Sequence, residues 1–217
     1  ITCRDWSSDV CSSDLPEKAV QRTLEMLTDG ADIIDVGGES TRPGSDPVSA
    51  DEEKRRVLPV IRGILLESPG ALISIDTRKA SVARDAIDAG AGLINDVSPL
   101  SDDPEMLAVA LEYGVPVVLM HMQGVPKTMQ MRPEYDDVLT DILRFLSVRV
   151  DELVDKGIPR ERIIIDPGIG FGKTLEHNLR IIANLDRFRR IGVSVMLGHS
   201  RKRFIGDCLS VPVNERD

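Results

Sequence analysis

The sequence predicts an α/β fold, a (β/α)8 TIM barrel that is incomplete, with about six of its eight strands present. Three observations carry this. Short β-branched runs alternate with amphipathic helical stretches. The runs are almost continuously apolar, as strands buried on both faces must be. Every run also ends in polar residues: Asp35, Asp76, Asn95 with Asp96, His121, Asp166 and Ser200. An alternating pattern allows a barrel or an open doubly wound sheet. A barrel gathers all strand ends on one face, whereas an open sheet concentrates chemistry at its switch point, so polar ends on every run favour the barrel.

In chain order the strand-like runs are 31–38, 71–77, 92–98, 115–121, 162–168 and 193–200. Amphipathic stretches near 17–29, 50–67, 79–89, 104–113, 134–156 and 175–190 supply the crossovers. Gly30, Gly90, Gly114 and Gly157 follow helices, where a left-handed C-cap is wanted. No linker divides the chain, so residues 16–217 read as one partial barrel domain.

The chain has 217 residues, 41% of them apolar, enough for a sizeable core. No apolar run is long enough to span a membrane. A net charge of −9 and 3% aromatics disfavour nucleic acid as a partner, since neither a general basic field nor stacking platforms are available.

Residues 1–15 differ from the rest. They contain Trp6, Cys3 and Cys11, a near-repeat of Ser-Ser-Asp, and no periodicity of either kind. The stretch Asp5 to Leu15 resembles a sequencing-adapter oligonucleotide read in frame, so 1–15 is expected to be a non-native or disordered segment. Setting it aside leaves Cys208, which suits a reducing, cytoplasmic setting without a disulfide framework.

Gly168-Ile169-Gly170-Phe171-Gly172-Lys173-Thr174 suggests a phosphate loop but fails the spacing: Pro167 stands where the first glycine is required. What remains is a glycine-rich loop after Asp166 that lets backbone approach a flat ligand. Asp76, Asn95 and Asp166 could each serve only as a helix cap. On one barrel mouth they would instead form an acceptor-rich rim for a flat heterocycle bearing several N–H donors. Metal binding is the rival use, but no histidine joins them in a ligand pattern, and His177 reads as a surface helix residue. Thr41 and Arg42 lie in the polar loop 37–44 and suit a phosphate or carboxylate, unless that loop is an ordinary turn. Ser200, Arg201, Lys202 and Arg203 fall where a helix should start, a place that favours anions. Met120 and His121 could be plain strand-end packing.

Taken in order, DVGGESTRPG, ISIDT, LINDVS, LMHMQGVPKTMQ, IIIDPGIGFGKT and SRKRFIG resemble the dihydropteroate synthases, from about Ile33 to Asp217. The resemblance implies a (β/α)8 barrel and a transferase of folate biosynthesis. Such an enzyme joins 4-aminobenzoate to 6-hydroxymethyl-7,8-dihydropterin diphosphate, giving 7,8-dihydropteroate and pyrophosphate. It implies that Asp76, Asn95 and Asp166 bond the pterin edge, with Lys202 at its carbonyl and ring-nitrogen side. Met120 and Phe171 would pack near the pterin, Thr41 and Arg42 would lie near the diphosphate and aminobenzoate, and Ser200 would face the aminobenzoate carboxylate. Asp76, Asp166 and Lys202 are then the catalytic candidates. A Mg²⁺ cofactor on the diphosphate, a homodimer and sensitivity to sulfonamides are further implications. No metal ligand is assigned among the residues present.

The family pattern also leads one to expect a first strand before Pro16, with an Asn loop serving the Mg-diphosphate. A last strand with an Arg-x-His pair is expected after Asp217, and the 217 residues as written are expected not to work as a synthase. Two other functions share the barrel: a pterin-binding methyltransferase domain serving a corrinoid cofactor, and a non-catalytic pterin-binding protein.

Overall fold

The computed structural model describes residues 15–40, 46–124, 129, 133–200 and 202–210. Strands β1 (Ile33–Gly37), β2 (Leu72–Asp76), β3 (Leu93–Asp96), β4 (Val117–Met120), β5 (Ile163–Asp166) and β6 (Ser194–Val195) each fall inside the run expected for them. Hydrogen bonding orders them β1-β2-β3-β4-β5-β6. A doubly wound sheet must reverse its order at a switch point, whereas a barrel adds each strand beside the last. The sequential order is that of a barrel, with β1 and β6 as its end strands among the described residues.

The helices are α1 (Leu15–Thr28), α2 (Ala50–Glu67), α3 (Ala80–Asp88), α4 (Met106–Tyr113), α5 (Val138–Asp155), α6 (Leu175–Ile182), α7 (Leu185–Arg189) and α8 (Arg203–Leu209). One expectation fails here: the stretch 175–190 is two helices rather than one. The break falls at Ala183-Asn184, where the Asn184 side chain donates to the Arg180 carbonyl (2.8 Å), an oxygen in the last turn of α6. The last strand is also shorter than its run, because after Met196 N–H donates to the Ile165 carbonyl (2.8 Å) the chain leaves β5 toward Gly198. The four expected C-cap glycines have φ of 99°, 110°, 61° and 103° at Gly30, Gly90, Gly114 and Gly157.

Where the sequence shows no linker, packing divides the described residues into two compact units, the first ending at Val117 and the second beginning at Val118. In the first, β1 and β2 are parallel, in register from Ile33↔Leu72 to Gly37↔Asp76, and β2 pairs with β3 up to Asp76↔Asn95. Ile34, Val36, Ile73, Ile75 and Ile94 are fully buried, and so are Val57, Val60, Ile61 and Ile64 of α2. Those four stand at i, i+3, i+4 and i+7, a single helix face. Ser49 starts α2 by accepting the Glu52 N–H (3.2 Å). Gly63 lets α1 approach, since a Cβ there would stand 2.6 Å from Val20 Cγ2.

In the second unit β5 and β6 are parallel, with Ile164↔Ser194 and Ile165↔Val195 in register. His121 N–H donates to the Asp166 carbonyl (2.9 Å), tying the end of β4 to the end of β5. Ile142, Leu146, Val150 and Leu153 make the buried face of α5, and Phe188 of α7 is fully buried.

Candidate active site

In the first unit the polar residues singled out by the sequence lie at the ends of β2 and β3. Asp76 closes β2 and is 7% exposed. It has room because its register partner is Gly37, where a Cβ would come within 3.1 Å of the Asp76 Cβ. Asn95 lies opposite Asp76 on β3, and its amide nitrogen donates to Asp35 Oδ2 (3.2 Å). That bond reaches across β2 and fixes the amide's orientation, presenting its oxygen as the acceptor. Asp35 is absent from the predicted binding set; its position two residues before the strand end was the available signal. Asp96, one residue on, points to the opposite face by strand alternation. Its carboxylate accepts from Ser98 N–H and Oγ (2.7 Å each) and from Leu100 N–H (3.0 Å), so it shapes the turn instead of the site. Burial raises its pKa despite those bonds.

Sequence reasoning also missed Glu39. Its carboxylate accepts from Arg78 (2.5 Å), Lys79 (2.7 Å) and the Val48 N–H (2.9 Å). Burial alone would raise its pKa, yet Lys79, the Val48 N–H and Arg78 together hold it below the usual value. Lys79 continues to the fully buried Glu53 (2.5 Å), and Arg78 to Asp102 (3.0 Å). Arg78 and Lys79 follow Asp76 by two and three residues, so one ionic network links the segments after β1 and β2 with α2.

In the second unit Asp166 closes β5 at 3% exposure. Its Oδ1 accepts the Gly168 N–H (2.7 Å). Burial pushes its pKa up, opposed by the Lys202 charge, the Gly168 N–H, the Lys173 charge and the Gly198 N–H. Lys202 stands at the N-cap of α8, its ammonium donating to the Ile169 carbonyl and lying 4.3 Å from the Phe171 ring centroid. A Cβ on Gly198 would fall 3.3 Å from Asp166 Oδ2 and 3.7 Å from Lys202 Nζ, so a side chain there would crowd both charges. Phe171 and Met120 are buried at 6% and 3%. Asp166, Lys202 and Phe171 therefore come together as expected. Ser200 lies exposed in the turn before α8, two residues short of the N-cap. Thr41, Arg42 and Arg201 lie outside the described residues, as do residues 1–14 and 125–128.

The glycine-rich loop holds a second lysine inside the protein. Lys173 is 3% exposed, and burial pulls its pKa down to about 7. His121, 7% exposed, is lowered by burial to about 3 and is therefore neutral at ordinary pH. His177 is more than a surface residue. It forms a reciprocal capping box with Thr174 at the start of α6. Among the described residues no group of three or more His, Cys, Asp or Glu side chains is arranged to hold a metal ion. A surface groove of about 550 Å³ runs along α6, lined by Leu175, Leu179, Arg180 and Asn184, and none of the expected site residues lines it.

The pterin binding enzyme family matches residues 5–217, further toward the N-terminus than the motifs alone reach. Dihydropteroate synthase of Bacillus subtilis is 48% identical over 214 residues, covering 98% of this chain and 72% of the relative. That of Escherichia coli K12 is 46% identical over 198 residues, covering 91% of this chain and 70% of the relative. Among solved structures, the Yersinia pestis dihydropteroate synthase with a sulfonamide drug superposes with a TM-score of 0.91 at 42% identity, covering 100% of this chain and 78% of that one. The Xanthomonas albilineans enzyme with 4-aminobenzoic acid gives 0.89 at 41% identity, covering 100% and 76%. A sequential (β/α) strand order, buried Asp166 and Phe171 beside a half-buried Lys202, and relatives of this closeness lead to one conclusion: the chain belongs to the pterin binding enzyme family, among the dihydropteroate synthases, which are transferases.

Proposed function

We propose that the synthase containing this chain condenses 4-aminobenzoate with 6-hydroxymethyl-7,8-dihydropterin diphosphate, releasing pyrophosphate and forming 7,8-dihydropteroate. The observation that carries the proposal is the buried Asp166 carboxylate beside Lys202, with Phe171 beneath that ammonium. A pterin presents ring N–H donors next to a carbonyl, and a carboxylate next to an ammonium complements that edge. Phe171 adds an apolar face for a flat ring. Asp76 and Asn95 carry the same kind of acceptor and are assigned to pterin binding from the family resemblance. Met120 packs near the ring. Thr41 and Arg42 are assigned to the diphosphate and aminobenzoate, and Ser200 to the aminobenzoate carboxylate.

As the bond to pyrophosphate breaks, positive charge spreads from the methylene into the pterin. Asp76 and Asp166, held in a poorly solvated setting, stabilise that charge without reorganising. Lys202 keeps the ring in place through its carbonyl and nitrogen side. The aniline nitrogen attacks the methylene and sheds its proton afterwards, and no strong base is needed. A Mg²⁺ ion enters the proposal only as the companion of the diphosphate. Among the described residues no group of three or more His, Cys, Asp or Glu side chains is arranged to hold it.

Residues 16–217 are proposed as the pterin-binding barrel region and residues 1–15 as a segment outside it. A cytoplasmic homodimer sensitive to sulfonamides completes the reading. The test is pyrophosphate release by the complete gene product given both substrates and Mg²⁺. Release that requires aminobenzoate supports the synthase, and protection from unfolding by the pterin diphosphate without any release would leave only a binding protein.

A further inference from the structure

The second unit contains a buried amine that the proposed chemistry does not use. Lys173 Nζ lies 3.0 Å from His121 Nδ1, 3.2 Å from the His121 carbonyl and 2.9 Å from the Phe171 carbonyl. Three acceptors match the three N–H bonds of an ammonium. Two belong to the residue after β4 and one to the loop after β5, so the ammonium bridges two segments. The backbones there are already pressed together. A Cβ on Gly168 would stand 1.9 Å from the His121 carbonyl oxygen, and one on Gly172 would stand 2.5 Å from the Gln123 carbonyl oxygen. Tyr135 Oη donates to the Gly172 carbonyl (2.9 Å) from a third segment. The bridged loop also carries the two groups on which Lys202 rests, the Ile169 carbonyl and the Phe171 ring.

We infer that Lys173 is a positioning residue for pterin binding: its ammonium docks the 168–174 loop on His121 and so sets where Phe171 and Lys202 stand. This rests on the functional reading above. Lys173 touches no substrate in that reading, and it acts through Phe171 and Ile169. While Lys173 is charged, the ring nitrogen facing its ammonium must accept, which puts the imidazole proton on Nε2. The ionisable groups around the pair are Asp166 and Lys202 at the strand ends, Tyr135, whose ring centroid lies 6.0 Å from that of His121, and His177 on α6.

The test has two arms. In the complete gene product Lys173→Met keeps a chain of similar length and removes the donors. It should raise KM for the pterin diphosphate about ten- to a hundredfold while KM for aminobenzoate stays within about twofold, because a displaced loop misplaces one substrate only. Equal change in both constants, or no change, overturns the inference. Should the variant fail to fold, nitrogen-15 NMR of wild-type histidines at pH 6 decides: His121 must carry its proton on Nε2, and a proton on Nδ1 overturns the bridge. A wild-type enzyme that neither binds the pterin diphosphate nor releases pyrophosphate would strike the functional reading itself. Wild-type activity with an unaffected variant would strike this inference alone.

Discussion

Asp166 illustrates how one side chain can serve binding at the expense of folding. Its folded pKa is raised, chiefly by burial, so the native state holds its proton more tightly than the unfolded chain. Stability from this group is then present at low pH and falls as pH rises from the usual aspartate range through the raised value. Asp166→Asn removes that ionisation and keeps the shape. The variant should melt no lower than wild type at pH 7, and higher if the carboxylate is ionised there, while binding the pterin diphosphate at least about tenfold more weakly, because a charged acceptor is lost. Calorimetry for affinity and thermal melts for stability check the two halves separately. Unchanged affinity would remove Asp166 from the site. The ionised carboxylate accepts a ring N–H more strongly than its protonated form, so pterin affinity is expected to fall as pH drops through its raised pKa. A profile that strengthens on acidification would contradict the assignment.

At the scale of elements, the loop after β5 and the ionic network after β2 make different demands on sequence. Gly168 has φ +72° and a Cβ would meet backbone, whereas at Gly170, φ +80°, a Cβ would meet the flexible Lys202 side chain at 3.1 Å. Both alanine variants are strained by their positive φ, but only the first must move a carbonyl. Gly168→Ala should therefore lower the melting temperature clearly more than Gly170→Ala does, with the reverse order ruling out the close approach to His121. In the network, Lys79 neutralises Glu53, which is fully buried. Lys79→Met leaves that carboxylate without its partner, and breaking such a pair costs about 3 kcal/mol or more in urea unfolding. Burial lowers the Lys79 pKa, but its bonds to Glu39 and Glu53 outweigh it, so the net shift is upward. Its contribution to stability is thus complete below the ordinary lysine pKa and lost as pH rises through the raised value.

For the molecule as a whole, His121 and Lys173 add two further pH dependences to folding. His121 stays neutral in the fold down to about pH 3, while an unfolded histidine protonates near 6.5. The unfolded chain therefore binds more protons below 6.5, and stability is lost as pH falls from there toward 3. Lys173 is lowered to about 7 against 10.5. By the same relation its burial is unfavourable while charged, and stability from this group rises from pH 7 toward 10.5. His121→Phe should flatten the acid limb of the melting curve, and an unchanged acid limb would show that carboxylates alone govern it.

The sequence by itself determined the strand positions, the sequential (β/α) order and every helix but the broken one at 175–190. Each of those signals is local: a β-branched apolar run, a polar residue at its end, a glycine where a left-handed cap is needed. The places of Asp76, Asn95 and Asp166 at strand ends and of Lys202 at a helix start were legible because strand runs and helix starts are signalled within a few residues. The tertiary structure alone decided the bond from Asn95 to Asp35, sixty residues away, the clasp of Glu39 on Val48, Arg78 and Lys79, and the burial of Lys173 against His121. It also decided that Asp96 shapes a turn while Asn95 beside it faces the other way. Periodicity states which face of an element is buried; it does not state which group from a distant segment will lie opposite. A buried lysine and an exposed one look alike in sequence, and they differ only in the acceptors that packing brings within 3 Å or so of the nitrogen.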